Sequence, residues 1–271
     1  MVITKLMGGM GNQMFQYAFA KKISLLSDRD LKMDLSFLKR RDMNPGFIYR
    51  DYDLNLFNIE ESFINEIDGY IEINEPNSLF NYIKSNKFKY ISKDTNIYLE
   101  GYWQCFKYFE EIEDVIKKEF TLKNDISERS KELLDEIKSR NSVMINIRRT
   151  DYLNTNFHGV MDVDYVLKAK SVIESRVDNT HYYIFSDDIE WCKENLIFEN
   201  STIVDHSYKG DRFSEYLELM RNCKHFIIPN SSFAWWAAYL SDNLDKIVIY
   251  PHKWFSNVQT SITLGLGWNG I

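Results

Sequence analysis

The sequence predicts an α/β protein built on parallel sheets, and three observations predict it. Through the second half of the chain, short apolar runs rich in β-branched residues alternate with helical segments of about 10 to 15 residues, the mark of strands joined by helical crossovers. The chain opens with strand, glycine turn and helix, the start of a nucleotide-type α/β unit. Polar residues follow the predicted strands directly, at the edge where an open α/β sheet forms its ligand crevice. At 271 residues the chain can bury a large core or two modest ones, and its pattern becomes far more regular after residue 140. The expected domains are therefore 1–140 and 141–271.

In order, Val2 to Leu6 reads as the first strand, Met7-Gly-Gly-Met-Gly11 as a tight turn, and Asn12 to Leu26 as a helix with apolar residues at helical spacing. Glycines let main chain approach a ligand closely, and a helix N-terminus presents N–H groups and about half a positive charge to an anion. Gly9, Gly11 and Asn12 are the candidates there. Their spacing matches neither the dinucleotide fingerprint nor the P-loop. Leu31 to Leu35 is a second strand. Ser36 to Tyr98 is irregular, polar and aromatic, with turn signals at Asn44-Pro-Gly46 and Glu75-Pro-Asn77 and a short helical stretch at Glu60 to Ile67. Ile97 to Glu100 is a strand leading into Gly101-Tyr-Trp-Gln104. Tyr108 to Phe120 reads as an amphipathic helix, and Asp125 to Arg140 as a charged one that bridges the halves.

The strands of the second half are Val143–Ile147, His181–Phe185, Thr202–Val204, His225–Ile228 and Lys246–Tyr250, with helices Asp162–Arg176, Ile189–Asn195, Asp211–Asn222 and Ser232–Leu240 between them. Right-handed crossovers gather the strand ends along one edge. That edge carries Arg148 to Asp151, Ser186-Asp187-Asp188, Asp205-His206 and Asn230-Ser231-Ser232. The aspartates and serines are also good helix N-caps. Two guanidiniums at a buried strand end are costly unless something anionic meets them. Because strand side chains alternate, Arg148 and Arg149 point to opposite sides, so that one faces a ligand and the other pairs internally, Asp151 being a candidate partner.

A net charge of −7 argues against nucleic acid as the main partner, while leaving room for a local basic pocket. Cys105, Cys192 and Cys223 are odd in number, far apart and without C-x-x-C spacing, so neither a disulfide framework nor a zinc site is indicated and a reducing cytoplasm fits. The apolar runs stay well short of about 20 residues, so any membrane contact is expected to be peripheral.

An arginine at a strand end, a glycine turn feeding a helix, and serine or amide donors at another helix start make a metal-free diphosphate clamp. Charge-assisted hydrogen bonds of this kind contribute roughly 1.5–3 kcal/mol each. Asp187, below the base, would accept from the N–H edge of guanine.

Gly8-Gly-Met-Gly-Asn-Gln-Met-Phe-Gln-Tyr17, Arg148-Arg149-x-Asp151-Tyr152, His158-Gly159-Val160, Phe185-Ser-Asp-Asp188, Asn230-Ser-Ser-Phe-x-Trp-Trp236 and Pro251-x-x-Trp-Phe255 resemble, in that order, the bacterial α-1,2-fucosyltransferases of glycosyltransferase family 11. The resemblance implies a GT-B-like α/β fold with two Rossmann-like domains facing a cleft, the N-terminal one on the acceptor side and the C-terminal one holding the GDP-sugar. It implies inverting, metal-independent transfer of L-fucose from GDP-β-L-fucose to the 2-hydroxyl of a galactose-terminated glycan or glycolipid, such as an O-antigen or capsule repeat, by a cytoplasmic enzyme that can sit at the inner face of the membrane. It assigns Arg148 to the donor's β-phosphate and sets Gly9, Gly11, Asn12, Asn146, Ser186, Asp187, Asn230, Ser231, Ser232 and Phe233 around the donor. Arg148, Asp151 and His158 become the catalytic candidates, the last two as general base by family position and chemistry, with Asp162 a weaker candidate for that role. The chain departs from the family pattern at Asn146, where the family has His, and at Thr150, where it usually has Gly. Asn146 cannot accept a proton, although it can donate and accept hydrogen bonds.

Three rivals follow from the same residues. Asp28-Arg-Asp30, Asp51-Tyr-Asp53 and Asp162-Val-Asp164 match the D-x-D of metal-dependent sugar transferases. Asn146 and the aromatic content fit a non-catalytic or differently specific GDP-sugar-binding protein. A purely structural α/β partner would leave the arginines and the polar strand ends without a purpose.

Overall fold

Strand β1 (Val2–Lys5) leads into helix α1 (Met10–Ser27), strand β2 (Leu31–Asp34) and the single turn α2 (Ser36–Lys39). The structure, a computed structural model, describes residues 1–41, 48–64, 66, 68–75, 87–150, 162–252, 254 and 266–271. Two compact units divide it, the first Met1–Lys123 and the second from Asn124 on, closing with Gly267–Ile271. In the first, β3 (Tyr70–Asn74) and β4 (Asn96–Glu100) complete an all-parallel sheet in the order β2-β1-β4-β3. Helix α1 is apolar on nearly every side and is correspondingly buried: Phe19 lies 4.4 Å from the Trp103 ring, Tyr17 5.8 Å from Phe120 and Phe15 6.1 Å from Phe109.

The irregular stretch departs from expectation in three places. Glu60 to Ile67 contains no helix among its described residues: Met33 N donates to Ser62 O and Ile64 N to Met33 O, so this stretch runs extended along β2. Tertiary pairing outweighs local propensity there. Of Tyr108 to Phe120, only α3 (Glu113–Glu119) is α-helical, preceded by 3₁₀ turns at Phe106–Tyr108 and Glu110–Ile112. Phe106, Tyr108 and Phe109 in and beside these tight turns are all buried. Strand β3 is absent from the sequence reading because its side chains, on a sheet edge, are mostly exposed. Asn44–Gly46 and Pro76-Asn77 lie outside the described residues.

The second unit starts with α4 (Glu128–Ser139), capped by Ser127. Sequence puts this helix before the domain boundary; in the structure it packs in the second unit, where Tyr183 donates to its Glu136 at 3.1 Å. Then follow β5 (Asn141–Ile147), α5 (Val163–Glu174), β6 (Thr180–Ser186), α6 (Ile189–Asn195), β7 (Ser201–Val204), α7 (Ser214–Arg221), β8 (His225–Ile227), α8 (Ser232–Leu240), β9 (Val248–Tyr250) and the two-residue β10 (Asn269–Gly270). All six strands are parallel, in the order β10-β9-β8-β5-β6-β7. Helices cover both faces. Val143, Ile145 and Ile147 pack with Val166, Ala169 and Ile173 of α5 and Cys192 of α6, whereas Phe185, on the opposite face, meets Tyr216 of α7 at 5.2 Å. The parallel C-terminal sheet is thus as expected, with β10 as an addition too short to carry a periodic pattern. All three cysteines are free and buried, and burial pushes the Cys192 thiol up to about 11.

His225 gives this unit a pH dependence. Its ring is 7% exposed, and Nδ1 accepts from Ile247 N at 3.1 Å, which requires that nitrogen to be unprotonated. Burial, reinforced by Lys224, lowers its pKa below the ordinary 6.5. A depressed histidine pKa means the unfolded chain binds the proton more readily, so this stability is present above 6.5 and is lost as pH falls through the folded value. His181, lowered by burial and Arg140, adds the same sign. The Tm should therefore fall as pH is taken from about 7 to about 5, and His225→Asn, whose side-chain oxygen can take the same N–H, should flatten the profile. An unchanged slope in that variant would assign the effect to other groups.

Candidate functional site

Each sheet has a topological switch point. In the second unit the chain leaves β5 towards β6 and β7, then crosses back to β8 and β9 on the other side, so the crevice opens at the carboxyl ends of β5 and β8. Arg148 follows β5 there. Asn230 and Ser231 follow β8, and α8 begins at Ser232. Ser231 caps α8 by accepting from Ala234 N, and Asn230 is 4% exposed and donates to Trp254 O at 2.9 Å. Both shape the start of α8, while Ser232 and Phe233 in its first turn are partly exposed. Tyr165 from α5 supports the same edge, its hydroxyl donating to Ile228 O at 2.9 Å, and burial raises its pKa.

The β6 side is bonded inward. Asn146 is 8% exposed and donates to Phe185 O across the β5–β6 pair at 3.2 Å. Ser186 is enclosed, and its Oγ accepts from Asp188 N at 2.8 Å. Asp188 then caps α6 by accepting from Trp191 N at 3.2 Å. Asp187 receives Arg149 N on Oδ1 at 2.9 Å and, on Oδ2, Thr150 N at 3.2 Å and the Thr150 hydroxyl at 2.5 Å, and its Oδ2 is ion-paired to Arg148 Nη1 at 3.2 Å. The two arginines part as strand alternation requires. Arg149 joins the α6 face, 3.5 Å from Asp188 and 4.0 Å over the Trp191 ring, while Arg148 is held by Asp187. Asp151, suggested by sequence as the partner of Arg149, lies outside the described residues, as does His158. The sequence carries no signal that Thr150, Asp188 and Trp191 support the arginines, since these contacts depend on how β5 lies against β6.

In the first unit the switch point lies between β1 and β4, and the glycine turn meets the end of β4 there. Gly8 has φ +75, and a Cβ on it would stand 2.5 Å from Asn12 Nδ2. Gly9 precedes α1 in an extended conformation, without a side-chain cap, and no acidic residue occupies the helix's first turn. Gly11 is buried in that turn, and Asn12 Oδ1 accepts from Gln104 at 2.8 Å. Two buried glutamines hold the turn from inside the helix. Gln16 accepts from Met7 N at 2.9 Å, and Gln13 donates to Gly8 O at 2.9 Å and Asp51 O at 2.7 Å while accepting from Asp53 N at 2.9 Å. Across the crevice, Glu75 accepts from Tyr102 N and Trp103 N at 2.7 and 2.9 Å, fixing Trp103 in a left-handed conformation at φ 55.

Chemically, the second unit offers a guanidinium at the carboxyl edge of its sheet, and the first a glycine-lined helix start without acidic residues. Both suit an anion. Among the described residues no three His, Cys, Asp or Glu side chains group as a metal site. Of the D-x-D triplets, Asp162 caps α5, Asp28 pairs with Lys93 and Asp51 with Arg41. Among the described residues no helix is long and apolar enough to cross a membrane.

A model of glycosyl transferase family 11 matches residues 1–271. An alpha-1,2-colitosyltransferase of Escherichia coli is 33% identical over 95% of this chain and 93% of its own length. The human galactoside alpha-(1,2)-fucosyltransferase 1 is 27% identical over 55% of this chain and 44% of its own. Among solved structures, the fucosyltransferase NodZ from Bradyrhizobium superposes with a TM-score of 0.57 at 16% identity, over 88% of this chain and 90% of that one, a likeness of fold of the two-domain GT-B type.

Proposed function

Because the chain belongs to glycosyl transferase family 11 and is a glycosyltransferase, we propose that it moves L-fucose from GDP-β-L-fucose to the 2-hydroxyl of a galactosyl acceptor, with inversion and without a metal ion. The observation that carries this reading is Arg148 at the carboxyl end of β5, a strand at the sheet's switch point, with its guanidinium held 3.2 Å from Asp187. A guanidinium in that place can neutralise a departing diphosphate, so the bond from fucose C1 to the GDP oxygen can break with little acid catalysis. The acceptor hydroxyl then attacks C1 from the opposite face and gives its proton to a base. Asn146 cannot take that proton, and Asp151 and His158 remain the proposed acceptors of it. The α-1,2 linkage is supported by the names of both relatives.

The 33% identical relative favours a second reading, in which the transferred sugar is colitose, fucose without its 3-hydroxyl. Incubation with GDP-fucose or GDP-colitose against a panel of β-galactosides in excess EDTA, with linkage analysis of the product, separates the readings. We expect an α-1,2 product, one preferred donor and no loss on chelation. No product from either donor, a linkage to another hydroxyl, or loss of activity with EDTA would overturn the corresponding part.

A further inference from the structure

We infer that Asp187 is a positioning residue, which folds the turn Arg148–Thr150 and aims the Arg148 guanidinium, instead of reading a nucleotide's base. The inference rests on the proposed reading, in which Arg148 meets the donor's diphosphate. It replaces the expectation that Asp187 accepts from the N–H edge of guanine.

A carboxylate offers about four lone-pair directions. On Asp187, Oδ1 accepts from Arg149 N, while Oδ2 accepts from Thr150 N and the Thr150 hydroxyl and is ion-paired to Arg148 Nη1. With Oδ2 enclosed by three groups and Oδ1 bonded once, one direction of the carboxylate stays open, too few for the paired N–H donors of a guanine edge. Its placement explains why it is used so. The β5–β6 ladder ends at the pair Ile147 and Ser186, and the carboxylate of the next residue on β6 takes over the main-chain donors that follow on β5. Asp187 thus continues the sheet by one side chain. The underside is built for it: Ser186 accepts from Asp188 N, His206 Nε2 lies 3.0 Å from Ser186 O, and Asp188 caps α6. A guanidinium has a rigid planar fork of five N–H donors, so anchoring one nitrogen and the main chain beside it sets the plane in which the others meet a phosphate. Thr150 supplies one bond to this bracket through its hydroxyl, which a glycine at that position would lack.

The test is a double-mutant cycle of Arg148→Ala and Asp187→Ala, read as kcat/KM with the GDP-sugar and as Kd for GDP and GMP, with Tm recorded for each variant. We expect Asp187→Ala to lower kcat/KM by about 10²-fold, the scale of a misplaced reacting group. GDP should weaken more than GMP, because the effect passes through the guanidinium to the second phosphate. The double variant should be no worse than Arg148→Ala alone. Thr150→Val, which removes only the hydroxyl bond, should lower kcat/KM several-fold with Tm unchanged, and it serves if the aspartate variants do not fold. Additive losses, equal weakening of GDP and GMP, loss of discrimination between GDP and ADP, or a lower Tm with unchanged kcat/KM would each overturn the inference. A wild-type chain that binds no GDP would instead sink the reading on which it rests.

Discussion

Arg148→Ala should lower kcat/KM with the donor sugar by roughly 10²–10³-fold, the scale seen when one preorganised donor to a developing anion is deleted. The effect should be large because this guanidinium is held in place before the ligand arrives. Its side chain is 29% exposed and ion-paired at 3.2 Å to a carboxylate that is 13% exposed. Removing it takes away the charge at the carboxyl end of β5 and the cation paired with Asp187. The loss should fall on kcat as well as on KM, since charge on the leaving diphosphate grows in the transition state. Arg148→Lys should recover part of the activity, because it keeps the charge and loses the planar fork. A change of less than tenfold in steady-state kcat/KM for the alanine variant would place the leaving-group clamp elsewhere.

The pair Arg148-Arg149 could be picked out from sequence because two independent signals coincide on it, a run of β-branched residues that ends a buried strand and charges too costly to bury alone, while the choice of Arg148 between the two comes from the family resemblance. The second unit was legible for the same reason, since Val143–Ile147 and His181–Phe185 are buried on both faces and read as strands without regard to partners. Tyr70–Asn74 is a strand only because it lies beside β4, and its exposed residues carry no such signal. The same limit applies inside the site. That the oxygens of Asp187 would be taken by Arg149 and Thr150 depends on the register of β5 against β6, and that Gln13 would bond Asp51 and Asp53 depends on how a loop 38 to 40 residues away returns to α1. Residue type showed that these groups can bond. Their partners are set by the folded topology.

The second large effect belongs to that glutamine. Gln13→Leu keeps approximate volume in a site of 0% exposure but deletes three hydrogen bonds, to Gly8 O, Asp51 O and from Asp53 N. Each main-chain group left without a partner costs about 1–3 kcal/mol where it is buried. Asp51 is exposed and Gly8 and Asp53 are partly so, and water can replace some of this. The net expectation is about 2–4 kcal/mol, a large share of an ordinary domain's stability. Gln13→Glu separates lost bonds from lost shape. Its carboxylate still accepts from Asp53 N but, when ionised, turns negative oxygens on two carbonyls that need donors. Burial and those carbonyls should raise its folded-state pKa, so the variant should be less stable than Gln13→Leu at neutral pH and regain stability as pH falls through that pKa and the carboxyl becomes a donor. Chemical denaturation of the three proteins at about pH 7.5 and about pH 5 tests the argument. If Gln13→Leu loses less than about 1 kcal/mol, solvent rather than this amide holds the glycine turn.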